Sequence, residues 1–142
     1  MDIEAIKTKS KDQLRKDEGF SAVPYTDTTG NLTIGYGRNL SKTKLRITEA
    51  ELMLENDVVC ATLELFKVLP WTRTQPDDII CVLVNMTFNM GMGGLLEFRR
   101  FLAALQEGAR ETAAREMINS LWAVQVGDRS TRLANIVRGV SG

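Results

Sequence analysis

Apolar and polar positions follow two regimes along the chain, one helical and one alternating. Ile3, Ile6 and Leu14 recur at loosely helical spacing, which predicts a helix from about Ile3 to Glu18. Gly19 follows Glu18 at once. Two short segments come next, Ala22–Thr26 and Leu32–Tyr36, the second the richer in β-formers with Thr33, Ile34 and Tyr36. Between them lies Thr28-Thr29-Gly30-Asn31, whose Gly and Asn tolerate positive φ. The pattern predicts a β-hairpin with Asp27 at the end of its first strand and Thr33 early in its second. Asn39–Lys44 is a polar connector. Thr48-Glu49-Ala50-Glu51 has the form of a capping box, opening a helix that runs to about Lys67. That helix carries two apolar stripes, Leu52/Val59/Leu63/Phe66 and Leu54/Val58/Ala61/Leu65, as expected of a helix bridging two lobes.

Pro70 closes that segment. Thr74 can cap the next helix, Pro76 suits its first turn, and Asp77 and Asp78 suit the positive end of its dipole. From Ile79 to Met90 the pattern is apolar on nearly all sides, which predicts a fully buried central helix ended by Gly91-Met92-Gly93-Gly94. Shorter helices are predicted at Leu95–Gln106, Arg110–Leu121 and Ser130–Val140. No strand signal follows Tyr36. The expected fold is α+β, one domain over 1–142. A small hairpin lobe spans 20–56, and a long helix joins it to a larger helical lobe formed by 1–19 and 57–142.

Composition changes this picture little: 44% apolar and 25% charged residues are the proportions of a soluble globular protein. No apolar run approaches the ~20 residues of a membrane span. The N-terminal segment has no apolar core of the secretory type, so synthesis in the cytoplasm without a signal peptide is expected. Net charge is +0, which supplies no global pull toward nucleic acid or an anionic surface. The charges are nonetheless uneven. Thr48–Phe66 holds Glu49, Glu51, Glu55, Asp57 and Glu64 without a Lys or Arg, while the tail holds Arg129, Arg132 and Arg138 against Asp128 alone. Three arginines without interleaved aromatics make a poor nucleic-acid footprint.

Elimination narrows the chemistry. There is no His, which removes Ser-His-Asp and Cys-His mechanisms and His-based metal sites. Cys60 and Cys81 stand alone in apolar helical stretches and read as buried free thiols. No phosphate-binding glycine motif is present. Carboxylates remain. One carboxyl at a helix end (Glu18), one at a hairpin turn (Asp27) and a hydroxyl nearby (Thr33) can together hydrolyse an acetal. Glu18 is the candidate general acid, because a helix C-terminus and partial burial both disfavour its charged form. Asp27 would activate water or stabilise an oxocarbenium-like transition state, and Thr33 would orient the water. Taken singly, these are a solvated helix-end Glu, a turn-initiating Asp and a strand Thr; only the longer motif they belong to singles them out. Gly35 and Gly37 allow close backbone approach to a sugar or a packed helix.

The order Glu18, Asp27, Thr33, then Ile34-Gly35-Tyr36-Gly37, resembles the catalytic signature of the T-even phage lysozymes, or endolysins. Asn85-Met86-Thr87-Phe88-Asn89-Met90-Gly91 resembles the helix that floors the substrate cleft of that family, and Trp122 with Arg129 resembles its C-terminal segment. The resemblance implies a muramidase that cleaves the β-1,4 bond between N-acetylmuramic acid and N-acetylglucosamine with inversion, Asp27 serving as base. It implies no cofactor or metal, peptidoglycan glycan strands as partner, and a monomer with no stable membrane association. The enzyme would reach the wall after release by a separate membrane-permeabilising protein. It also implies sugar contacts at Gly37, Asn39, Phe88, Asn89 and Phe101, of which Asn39 and Phe101 depart from the usual residue types. Arg129 is expected to reach Glu18. Arg38 stands where the family has a His paired with an acid, and Asp57 is its expected partner. Two other readings are weighed. A lytic transglycosylase needs no water-activating Asp, and a glycan-binding or regulatory module would keep the fold without turnover.

Overall fold

The computed structural model describes residues 1–139. The chain divides into two compact units, Met1–Glu51 and the segment from Leu52 onward. The first holds a helix, α1 (Ile3–Glu18), and a three-stranded antiparallel sheet of β1 (Ser21–Thr26), β2 (Leu32–Gly35) and β3 (Arg38–Asn39), in the order β1-β2-β3. The helix α2 (Ile47–Val68) begins in this unit and continues into the second. The second unit adds α3 (Asp77–Glu97), α4 (Arg99–Gln106), α5 (Arg110–Ile118), α6 (Leu121–Val126) and α7 (Asp128–Arg138), with a 3-10 turn at Pro70–Thr74. Mostly helical with one small sheet, the chain has the expected α+β lysozyme-like fold.

Local chemistry accounts for the first unit. Asp2 caps α1 by accepting from the backbone N–H of Glu4 at 3.1 Å and of Ala5 at 3.3 Å. Gly19, at φ 68°, lets the chain leave the helix directly after Glu18 while its N–H still donates to the Arg15 carbonyl. In the sheet Tyr25 pairs with Thr33, Thr26 with Leu32 and Ser21 with Gly35, with an irregularity between Ser21 and Tyr25. Pro24 lies in that irregularity; it has no N–H for the ladder, and edge strand β1 tolerates it. The strand β3 was not predicted. It is two residues long and exists through pairing with β2, Thr33 to Asn39 and Ile34 to Arg38, so its own residues carry no β signal.

The cap of α2 is displaced from its expected place. The carboxylate of Glu49 accepts from the Arg46 N–H at 2.8 Å, so this one side-chain bond, and not a Thr48–Glu51 box, satisfies the start of the helix. Of the two apolar stripes on α2 only Leu65 is buried; Leu52, Leu54, Val59 and Leu63 are exposed.

The core of the second unit gathers Leu65, Leu83, Met86, Leu95, Phe101, Met117 and Val137. Fully buried alanines at Ala113, Ala114 and Ala134 let α5 and α7 approach closely. The helix α3 is long and apolar enough to cross a membrane by length and composition alone, contrary to the expectation from sequence. Ile79, Val82, Leu83 and Met86 are instead core residues. Full burial of α3 does not hold either, because Cys81, Phe88 and Asn89 lie on an open face. Gly91 leaves helical geometry (φ 74°, ψ 166°), so the first helical stretch ends where expected, and a second stretch follows directly to Glu97. The cap also differs: Thr74 belongs to the 3-10 turn, and Pro76 takes the N-cap position with no side-chain cap bond. Both cysteines are exposed, not buried. Ser120 opens α6, an unpredicted short helix, by accepting from Ala123 N–H. The predicted end of the last helix at Val140 lies outside the described residues.

Candidate active site

Glu18, Asp27, Thr33, Gly37, Arg38 and Asn39 all belong to the first unit. Glu18 is exposed at the last position of α1, without the partial burial expected of it, and its carboxyl lies against the backbone of Gly37. A Cβ built on Gly37 would stand 2.6 Å from Glu18 Oε2 and 2.8 Å from its Cδ. Gly37 is therefore the residue that leaves room for this carboxyl, and its φ of 72° also favours glycine.

Asp27 starts the hairpin turn and organises it. Its Oδ1 accepts from Thr29 N–H at 2.9 Å, Thr29 Oγ1 at 2.9 Å and Asn31 N–H at 2.8 Å. The bond from the Asn31 backbone, then that from the Thr29 hydroxyl, holds the Asp27 carboxyl below its ordinary value, since each stabilises the anion. Thr33 is buried at 2% exposure, and its hydroxyl donates to the Asn31 carbonyl at 2.9 Å. That leaves the oxygen free to accept. Asn39, expected to contact sugar, spends its Oδ1 on the N–H groups of Ser41 and Lys42, both at 2.9 Å. Its side-chain nitrogen has no hydrogen-bond partner among the described residues.

Arg38 finds a different acid from the one expected. Its guanidinium forks onto both oxygens of Glu49, with Nη2 2.9 Å from Oε1, and Nη2 also donates to the Lys44 carbonyl at 3.0 Å. Asp57 falls in the second unit. Glu49 wins because its position in the first turn of α2 lets one carboxylate cap Arg46 and accept the planar fork together. The Arg38 bond, then that from the Arg46 backbone, lowers the Glu49 pKa to about 2. A depressed folded value means stabilisation that is full above the ordinary value of 4.5 and lost as pH falls through about 2. Melting of Glu49→Gln beside wild type should show a lower Tm at neutral pH, with the gap closing between about pH 4.5 and 2. A gap unchanged across that range would remove this cross-link.

The remaining expected residues lie in the second unit. Arg129 donates from Nε and Nη2 to Asn85 Oδ1, at 2.9 and 2.7 Å, and from Nη2 to the Asn85 carbonyl at 3.2 Å. Asn89 accepts the Trp122 indole N–H at 2.8 Å. Trp122 is itself buried and stands edge-on to Phe98. Phe88 is 45% exposed, so its ring can offer a face. Phe101 cannot: it is 1% exposed and packed edge-on to Phe98, a core residue rather than a sugar contact. A pocket of about 560 Å³ in this unit is lined by Glu97, Arg99, Arg100, Glu116, Asn119 and Trp122 among others. Its charged lining residues come from two stretches, Glu97 with Arg99 and Arg100, and Glu116 further along the chain. Among the described residues no cluster of potential metal ligands occurs.

A helix-end carboxyl, a second carboxylate at a hairpin turn and a buried hydroxyl, set in one small α/β unit ahead of a helical one, define a lysozyme-like protein. The family profile described as Phage lysozyme matches residues 15–138, and the chain belongs to that family. It is 30% identical to Probable T4-type lysozyme 1 of Dictyostelium discoideum, over 89% of this chain and 92% of that protein. Probable T4-type lysozyme 2 of the same organism is 28% identical, over 89% and 91%. The Pre-baseplate central spike protein Gp5 of Enterobacteria phage T4 is 28% identical over 89% of this chain, which spans 27% of that longer protein.

Proposed function

We propose that this protein is a muramidase that hydrolyses the β-1,4 bond between N-acetylmuramic acid and N-acetylglucosamine in peptidoglycan. The observation that carries the reading is the seating of Glu18 against Gly37 in the same compact unit as Asp27 and Thr33. Glu18, exposed and without an ion-pair partner in its own unit, donates a proton to the leaving oxygen. Asp27, kept ionised by its turn, activates a water on the opposite face of the sugar. The Thr33 oxygen, with its own proton given to Asn31, accepts from that water and aims it. The Arg38–Glu49 ion pair ties β3 to the start of α2 and holds the site's frame.

Digestion of purified peptidoglycan, followed by proton NMR of the new reducing ends, tests this. Inversion at a β-linkage yields the α-anomer first. A β-anomer first would mean retention, and a 1,6-anhydro end would mean a transglycosylase. Release of no reducing ends, with wall binding intact, would leave a binding module. The turn makes a second expectation. The acid limb of the rate profile, set by Asp27, should lie below the ordinary value of 3.8. Thr29→Val, which removes one hydrogen bond to Asp27 Oδ1, should move that limb upward. A limb that does not move would detach Asp27 from the rate.

A further inference from the structure

Two aromatic rings stand exposed beside Glu18, and the reading of the site so far gives them no task. Phe20 is 68% and Tyr36 51% exposed. Their ring centroids are 5.4 Å apart and their planes are inclined at 49°. The pairing has a simple backbone cause. Ser21 and Gly35 are register partners at the end of the hairpin, so the residues just outside them, Phe20 and Tyr36, meet. Gly19 at φ 68° links Phe20 to Glu18, and Gly37, against which the Glu18 carboxyl lies, follows Tyr36. Both rings are thus one residue removed from the backbone that positions the candidate acid. Phe20, Tyr25 and Tyr36 are the aromatic residues of this unit, and the two exposed ones are the two beside Glu18.

We infer that Phe20 and Tyr36 form a stacking platform for an N-acetylated pyranose ring of the glycan, next to the bond to be cleaved. The inference rests on the proposed function. A β-linked N-acetylhexosamine in its chair form carries its hydroxyls near the ring plane and presents axial C–H groups on its faces. Such a face is apolar and slightly positive, and an aromatic face is apolar and slightly negative. Two tilted rings offer a corner that fixes the orientation of a sugar as well as its position. The Tyr36 hydroxyl gives the platform a polar end suited to a sugar hydroxyl or acetamide.

The experiment uses the full chain carrying Glu18→Gln, titrated with a β-1,4 tetramer of N-acetylglucosamine and followed by amide NMR shifts. Phe20→Leu or Tyr36→Leu in that background keeps an apolar side chain and removes the flat face. Each should weaken the tetramer by about 3–10-fold, the range that an aromatic contact carries beyond its buried area. In chains with Glu18 intact the same substitutions should raise KM on wall fragments by a similar factor, with kcat within about twofold, the split expected of lost binding held in both ground and transition states. Tyr36→Phe should retain most of the affinity. Leucine variants that bind and turn over as the parent does would overturn the platform while leaving the muramidase reading in place. So would saturable binding being absent from the Glu18→Gln chain at millimolar tetramer. Conversely, if the Glu18→Gln chain still hydrolyses peptidoglycan, the role of Glu18 falls, and the platform is still judged by the leucine affinities.

Discussion

Glu18→Gln should leave a folded protein that no longer clears permeabilised Gram-negative cells. The exchange keeps the shape of the side chain and its place against Gly37, and removes only the proton it can give. Loss of a positioned general acid typically costs about 10²–10⁴-fold in rate. Stability should hardly change, because Glu18 is exposed and no hydrogen bond or ion pair in its unit depends on it. Turbidity clearing and thermal melting of the two proteins, measured side by side, separate these effects. Clearing at a tenth of the wild-type rate or faster would show that the proton comes from elsewhere. A collapse of the melting transition would instead make Glu18 a structural residue.

The parts of the fold that the sequence made legible are those set by local chemistry. The helix α1 runs over the predicted span because an N-cap and a C-terminal glycine bound it. The hairpin turn follows from Gly30 and from a carboxylate able to collect the turn's N–H groups. Elements set by tertiary pairing were not legible. The strand β3 is invisible without its partner β2. The cap of α2 moved to Arg46 because Glu49 is also claimed by Arg38, a residue eleven positions away. The buried state of Phe101 depends on the neighbouring Phe98 ring, which no period in the sequence reports.

The candidate site shows the same division. Glu18, Asp27 and Thr33 could be picked out because their order, followed by Ile34-Gly35-Tyr36-Gly37, resembles the family signature; among 18 Asp and Glu residues, type alone does not single out two. What the order of residues does not contain is contact between the parts. Nothing in it states that the Glu18 carboxyl rests on Gly37, or that Phe20 meets Tyr36. Both follow from the register of the hairpin and from the angle at which Gly19 releases α1.

Gly37→Ala should therefore damage activity out of proportion to stability. The new methyl would sit 2.6 Å from Glu18 Oε2, 2.8 Å from Cδ and 3.1 Å from Cγ, so something must move. The atoms it meets belong to the far end of a flexible side chain, and turning that side chain away costs the fold little. It does displace the candidate acid, and a misplacement of ~1 Å can cost about 10²-fold in rate. The backbone adds its own penalty, since a side chain at φ 72° is strained by ~1–2 kcal/mol. A loss of that size lowers the Tm of a domain this small by several degrees. Gly35→Ala separates the two causes. Gly35 has nearly the same φ, 67°, but its Cβ would meet nothing within 4 Å. It should melt earlier by a similar amount while keeping its rate within about threefold of wild type, well short of the loss that misplacement brings. If the two alanine variants lose rate equally, the contact between Gly37 and Glu18 has no catalytic consequence, and backbone strain alone accounts for the loss.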